Sequence, residues 1–386
     1  MSAAGAAATV PRASGAGGAW PLALLVAAFI ALLLLWPVAT VLYAAFADGE
    51  GGVTTAHIGA FFSLSIMREA FVNSLVVALG SVALASLIAV PLAYLTVRFE
   101  FRGAAIVQTL GVLPLVMPPF VGAVAMQLLF GRNGSMNLIL NDAFGFRIPL
   151  MDGLVGVVFV EGLHYFPFIL LNLVAALRNV DGAMEEAAQN LGCHGFRLFR
   201  RVVFPLAMPG FVAGASLVFV KVFDDLGTPL VLNVTNMLAP QAYLRITSIG
   251  VEDPVGYVIA VLMVAFSVAA LALSARMTLG RDYATLTRGG GTLRRRPLAG
   301  LSAVAGYGFV ILVLALVLSP HLGILLLSLS KVWSYSVLPE GYTLAHYAVV
   351  LTDSAHMIGN TLLYCSLAAG IDVVLGVAIA WLVLRT

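Results

Sequence analysis

The sequence predicts an all-α, polytopic membrane protein that crosses the bilayer about eight times. Three observations carry that expectation. Of 386 residues, 61% are hydrophobic and only 10% charged, against roughly 25% charged in soluble domains. Such a chain cannot cover a water-facing surface with polar groups. Apolar segments long enough for the ~20-residue crossing of a hydrocarbon core recur along its whole length. Arginine and lysine are shared unevenly between the connecting segments, as a polytopic chain obeying the positive-inside rule requires.

Taken in order, residues 1–19 are rich in Ala, Gly and Ser, with Arg12 as the one charge, and read as a disordered cytoplasmic tail. The apolar run 20–46 contains Pro21 and Pro37. It is longer than a signal-peptide core and reads as an uncleaved first span. Residues 51–69 read as a polar loop. Further spans are expected at 71–97, 104–130, 153–177, 203–226 and 255–277. These make a five-span core over 69–277. A basic linker follows at 278–297, then a helix at 298–330 and a last span at 358–384. Residues 355–386 thereby begin a second core.

Placing the tail, the 98–102 turn, the 178–201 loop, the 276–296 linker and the C-terminus in the cytoplasm puts fourteen of the twenty Arg and Lys residues there. Arg68, Arg132, Arg147, Arg245 and Lys331 fall outside, and Lys221 lies within a span. Inverting the topology inverts that excess. Cys193 and Cys365 are too few and too isolated to form a disulfide or metal framework. The Arg294–Arg296 cluster reads as membrane anchoring against anionic lipid rather than as a nucleic-acid patch.

The segment 181–209 has helical periodicity without being simply hydrophobic. Met184, Ala187, Ala188 and Leu191 follow i, i+3, i+4, i+7 and form a small apolar face. Asp181 suits an N-cap, Glu185 and Glu186 suit the first turn, and Gly192 suits a helix end. A second short helix is expected from Phe196, with Arg197, Arg200 and Arg201 on one side and Phe196, Phe199 and Val203 on the other. Read from the residues alone, this is a docking helix or an ordinary amphipathic loop between two spans.

Glu186-Ala187-Ala188, Gly192 and Val202-Val203-Phe204-Pro205 stand at the spacing E-A-A, three residues, G, nine residues, I-x-L-P. Val replaces Ile and Phe replaces Leu. In this the chain resembles the membrane subunits of type I binding-protein-dependent ABC importers. The resemblance implies a permease in a bacterial inner membrane with a cytoplasmic N-terminus. It implies two partners, a cytoplasmic ABC ATPase dimer and a periplasmic or extracellular substrate-binding protein. Glu185, Glu186, Ala187, Ala188, Gly192 and Pro205 would form the ATPase-docking site. Gly192 would supply a turn that a side chain obstructs.

The chain also repeats itself. Asn73–Arg98 recurs as Asn360–Arg385, with Leu75/Leu362, Val90/Val377, Ala93/Ala380 and Leu95/Leu382 identical as well. At that offset a second docking glutamate falls beyond Thr386. Fused permeases of this family carry two six-span halves, so the expectation is a fragment of a longer product, or else a chain that needs a second permease subunit. Within the family, the segment 223–229 looks most like the iron(III) group, with thiamine, 2-aminoethylphosphonate and polyamine permeases as alternatives. Outside it, a secondary transporter would also show repeats and broken helices.

Candidate pathway residues come from two places. Pro114, Pro118 and Pro119 interrupt one span and Pro167 the next, which suits either helices lining a pathway or ordinary bundle packing. Lys221, Asp224 and Asp225 stand at i, i+3, i+4 near the outer end of a span. They suit either a polar gate with a weak cation site or a self-neutralising helix end. Glu161 and His164 share a helix face but do not make a metal site. Neither a phosphate-binding G-x-x-x-x-G-K-[ST] loop nor a H-E-x-x-H or G-x-S-x-G motif occurs. The expectation is therefore no catalytic residues and no cofactor, with ATP hydrolysis on a separate subunit.

Overall fold

The computed structural model describes residues 20–48, 52–250, 253–278 and 295–385. The expected tail at 1–19 and most of the 278–297 linker lie outside the described residues. Among those described, seven helices are long and apolar enough to cross a membrane. They are eight if the bent pair Ala104–Val116 and Pro119–Phe144 counts as one span.

Helices α1 (Trp20–Ile30) and α2 (Trp36–Phe46) are joined by a wide π turn over Ala31–Leu35, so they run on as one span. Helix α3 (Ala56–Ser63) then occupies ground expected to be a polar loop. The Thr54 hydroxyl accepts the Ala56 N–H at 3.1 Å and starts this helix, while Phe61 is fully buried. Its polar flanks and short length hid it from a periodicity search. Helix α4 (Ser65–Arg98) begins several residues earlier than the apolar run suggested.

Helix α5 (Ala104–Val112) passes into a tight 3-10 turn at Leu113–Val116, and α6 (Pro119–Phe130) starts anew. The axis bends by 104° between the two halves of this pair. The span expected over 104–130 is therefore not one straight helix. Pro118 and Pro119 lack the N–H groups that would continue the ladder, and Met117 and Pro118 adopt extended ψ angles. Helix α7 (Ser135–Phe144) follows. The side chain of its Asn137 donates to the carbonyls of Gly131 and Ile148, both at 2.9 Å, and accepts the Ile148 N–H at 2.7 Å.

Helix α8 (Gly153–Arg178) is the axis of the larger unit, packed along α4 and α11 (Phe204–Phe223). Its Phe166, Ile169, Leu173 and Leu177 are fully buried and recur at helical spacing. Small residues set the approach of α8 to α11. A Cβ placed on Gly210 would lie 2.5 Å from the Asn172 carbonyl oxygen, and one on Gly214 would lie 2.6 Å from the Ile169 Cα. This is the small-residue contact that lets membrane helices close on one another.

Between α8 and α11 lie α9 (Gly182–Asn190) and α10 (Gly195–Leu198). The short helix expected from near Phe196 does begin there, as α10, but does not stand apart. Instead α10 continues through a π turn at Phe199–Val203 into α11, giving one run from Gly195 to Phe223. The remaining elements are α12 (Gly227–Val231), α13 (Leu238–Ser248), α14 (Pro254–Thr278), α15 (Gly300–Leu329), α16 (Ala345–Asp353) and α17 (Ala355–Arg385). A two-residue parallel pairing sets Phe99 beside Arg296.

Two compact units result. One holds residues 45–343, and the other joins the chain up to Ala44 with Leu344–Thr386, where α1 packs on α17 and α16 on α17.

Candidate functional site

The segment 181–209 builds its turns from local chemistry. Asp181 caps α9, its carboxylate accepting the Ala183 N–H at 2.9 Å. At the other end Gly192 donates to the Gln189 carbonyl and Cys193 to the Ala188 carbonyl, each at 2.9 Å. That crossed pair, with Gly192 at φ +81°, is a Schellman ending. A Cβ on Gly192 would meet nothing within 4 Å. The glycine is therefore required by its left-handed backbone rather than by crowding, which corrects the expectation that a side chain would obstruct the turn.

The two glutamates of this helix have opposite surroundings. Glu185 forms an ion pair with Arg98, the last residue of α4, and both side chains are nearly buried. Burial pushes the Glu185 carboxyl above its ordinary range, while Arg98 and Arg296 pull against that shift. Arg296 also donates to the Gln189 side chain at 3.2 Å. Tyr94 of α4 packs edge-on against Phe199, with centroids 4.9 Å apart. Glu186 and Ala187, by contrast, face outward. So do Met184, Leu191 and Phe196, the last two 88% and 76% exposed. Arg197, Arg200, Arg201 and Pro205 are exposed on the same stretch. One face of the loop is thus fixed to the bundle by charge, and the other presents apolar groups rimmed by Glu186 and arginines.

The pathway candidates separate into groups. Pro114, Met117, Pro119, Gly122, His164 and His321 border a cavity of about 10 Å³ at the break between α5 and α6, close to the least that holds one water. Pro118 is exposed and does not line it, and Pro167 is buried within an unbroken α8. The i, i+3, i+4 arrangement of Lys221, Asp224 and Asp225 ends where α11 ends, at Phe223. Asp224 is its C-cap and lies within 3.3 Å of the Ser267 hydroxyl, which donates to it. Asp225 turns to the start of α12, accepting the Thr228 N–H at 2.9 Å. The three side chains therefore do not share one face.

Sequence reading placed Glu161 beside His164 but missed its encounter with Asp225 and Thr228, which are distant along the chain. It also missed Asn137. Only its position after the Gly131–Gly134 turn hinted at a capping role.

A bundle of apolar helices with small-residue contacts, a helix broken at paired prolines and a capped amphipathic loop between long apolar helices define a polytopic membrane protein. Residues 81–279 match the family model described as binding-protein-dependent transport system inner membrane component, and the chain belongs to that family. A putative ferric transport system permease protein of Haemophilus influenzae is 27% identical over 92% of this chain and 57% of its own length. A probable molybdenum ABC transporter permease protein of Haloferax volcanii is 30% identical, covering 65% of this chain and 88% of its own. A putative 2-aminoethylphosphonate transport system permease protein of Salmonella choleraesuis is 28% identical over 56% and 77%. The chain thus spans little more than half the length of the ferric relative. Among solved structures, a bacterial alginate ABC transporter in complex with its alginate-bound periplasmic protein has a similar fold. Its TM-score is 0.54, at 14% identity over 67% of this chain and 93% of the other.

Proposed function

We propose that the chain is the translocating subunit of an ATP-driven importer for iron(III), receiving cargo from an extracytoplasmic binding protein. The observation that carries the importer reading is the outward face of α9. There Glu186 and Ala187 of the Glu186-Ala187-Ala188 motif stand exposed beside Leu191 and Phe196, while Ala188 packs inward and Glu185 and Arg98 fix the opposite side. An exposed apolar patch with a charged rim is the anatomy of a protein-docking surface. A cytoplasmic ATPase dimer is the partner this surface fits, with the N-terminus on the same side of the membrane. In this reading Glu185, Ala188 and Gly192 hold the helix in place, Glu186 and Ala187 touch the ATPase, and Pro205 begins the span that moves. Residues 69–277 form the first permease core, and 355–386 begin a second.

Iron as cargo is supported by the ferric relative, which matches along 92% of the chain, where the phosphonate relative matches 56%. Glu186→Lys in the full-length permease, reconstituted with its ATPase and binding protein, abolishes ATP-driven uptake but leaves the protein in the membrane. Undiminished uptake by that variant would overturn the docking assignment. Uptake without any co-purifying ATPase would instead favour a secondary transporter.

A further inference from the structure

The interior of the larger unit holds a carboxylate with no visible means of support. Glu161, in the middle of α8, is 0% exposed, and neither of its oxygens makes a hydrogen bond of good geometry. Among the described residues no salt bridge reaches it. What faces it is a second carboxyl, Asp225, together with the Thr228 side chain. Thr228 is itself fully buried, and its hydroxyl makes no other hydrogen bond of good geometry. One Asp225 oxygen is committed to the Thr228 N–H. The other titratable groups nearby are His164 and Tyr165 on α8 and His321 on α15. Lys221, one turn earlier on α11, is exposed.

An ionised Glu161, fully withdrawn from water, cannot be left facing a second ionised carboxylate on the half-buried Asp225. A carboxylate is costly to strip of water, and two at close range repel. Two ligands would resolve the conflict, a metal ion or a proton. Among the described residues no three His, Cys, Asp or Glu side chains converge closely enough to hold a metal. A carboxyl and a carboxylate, however, form a strong O–H···O⁻ bond around a single proton.

We propose that Glu161 and Asp225 hold one proton between them, forming a buried proton site that staples the turn between α11 and α12 onto α8. The proton comes from bulk water and no covalent bond changes. Glu161 carries it as the donor, Asp225 accepts, and the Thr228 hydroxyl completes the set. Drawing α12 away from α8 separates the pair, and one carboxylate then needs water, cargo or a new proton to remain in the membrane interior. The site does not depend on what the importer carries.

Infrared spectroscopy of the full chain in lipid nanodiscs at neutral pH tests the site. The wild type shows the carbonyl stretch of one protonated carboxyl, shifted on exchange into D2O. Glu161→Gln loses that band, Asp225→Asn moves it to higher frequency because the Glu161 proton has lost its carboxylate acceptor, and Asp152→Asn, at the surface, leaves it unchanged. Should Glu161→Gln not fold, Asp225→Asn reads the same band. Absence of the band from the wild type, or an unchanged band in both interior variants, overturns the proposal. So does a stoichiometric metal in the isolated wild type that either variant loses.

Discussion

Arg98 shows how one residue joins distant parts of the chain. It closes α4, and its guanidinium meets Glu185 on a helix that begins more than eighty residues later. Because both side chains are largely withdrawn from water, neither is easily left alone. Arg98→Ala leaves Glu185 buried with only Arg296 to oppose the burial, and the expected cost is about 1–3 kcal/mol of local stability. Trypsin then cuts faster at Arg197, Arg200 and Arg201, and the Arg98→Ala, Glu185→Ala double variant recovers part of the loss. Unchanged cleavage in the single variant would show that the pair does not hold the loop. Gly192 separates backbone from contact at the same scale. Asn tolerates positive φ, so Gly192→Asn keeps uptake while Gly192→Val, strained at φ +81°, reduces it severalfold.

Elements were legible to different degrees, for physical reasons. Long apolar helices announce themselves by composition, and Asp181 and Gly192 announced the ends of α9 by cap chemistry. The π turn at Phe199–Val203 did not, because it changes hydrogen-bond spacing without changing residue type. Helix α3 is too short for its periodicity to stand out. The paired prolines signalled an interruption between α5 and α6, but a proline pattern does not encode the 104° angle. The meeting of Glu161 with Asp225 was hidden because it joins two helices distant along the chain. Close approach of α8 and α11 at Gly210 and Gly214 was equally silent, since glycine is common in membrane helices. Gly214→Leu forces these helices apart, and overpacking of this kind costs about 1–3 kcal/mol. A fall of several degrees in the detergent melting temperature is expected, whereas Gly308→Leu, in open space on α15, has little effect.

For the whole molecule, fold and family were readable from one twenty-residue motif and the distribution of charge, while cargo was not. The ferric, molybdenum and phosphonate relatives match this chain at similar identity, 27%, 30% and 28%, and differ in the chemistry they are named for. On the proposed reading, selectivity is divided between the permease interior and a soluble binding protein. Competition for uptake in the reconstituted system, with iron(III), molybdate, thiamine, 2-aminoethylphosphonate and a polyamine against labelled iron(III), ranks the candidates. Iron(III) competes at the lowest concentration if the ferric reading is right, and stronger competition by an oxyanion reverses it.

The uninterrupted run from Gly195 to Phe223, 29 residues, makes a rod roughly 40 Å long at 1.5 Å per residue. One end carries the exposed arginines and Phe196, and the other delivers Asp225 to Glu161. A tilt imposed at the first end cannot be absorbed by a hinge loop, because none intervenes. It arrives at the second as a sideways shift of Asp225 relative to Glu161. The rod works as a lever, and its fulcrum is where Gly210 and Gly214 press against α8.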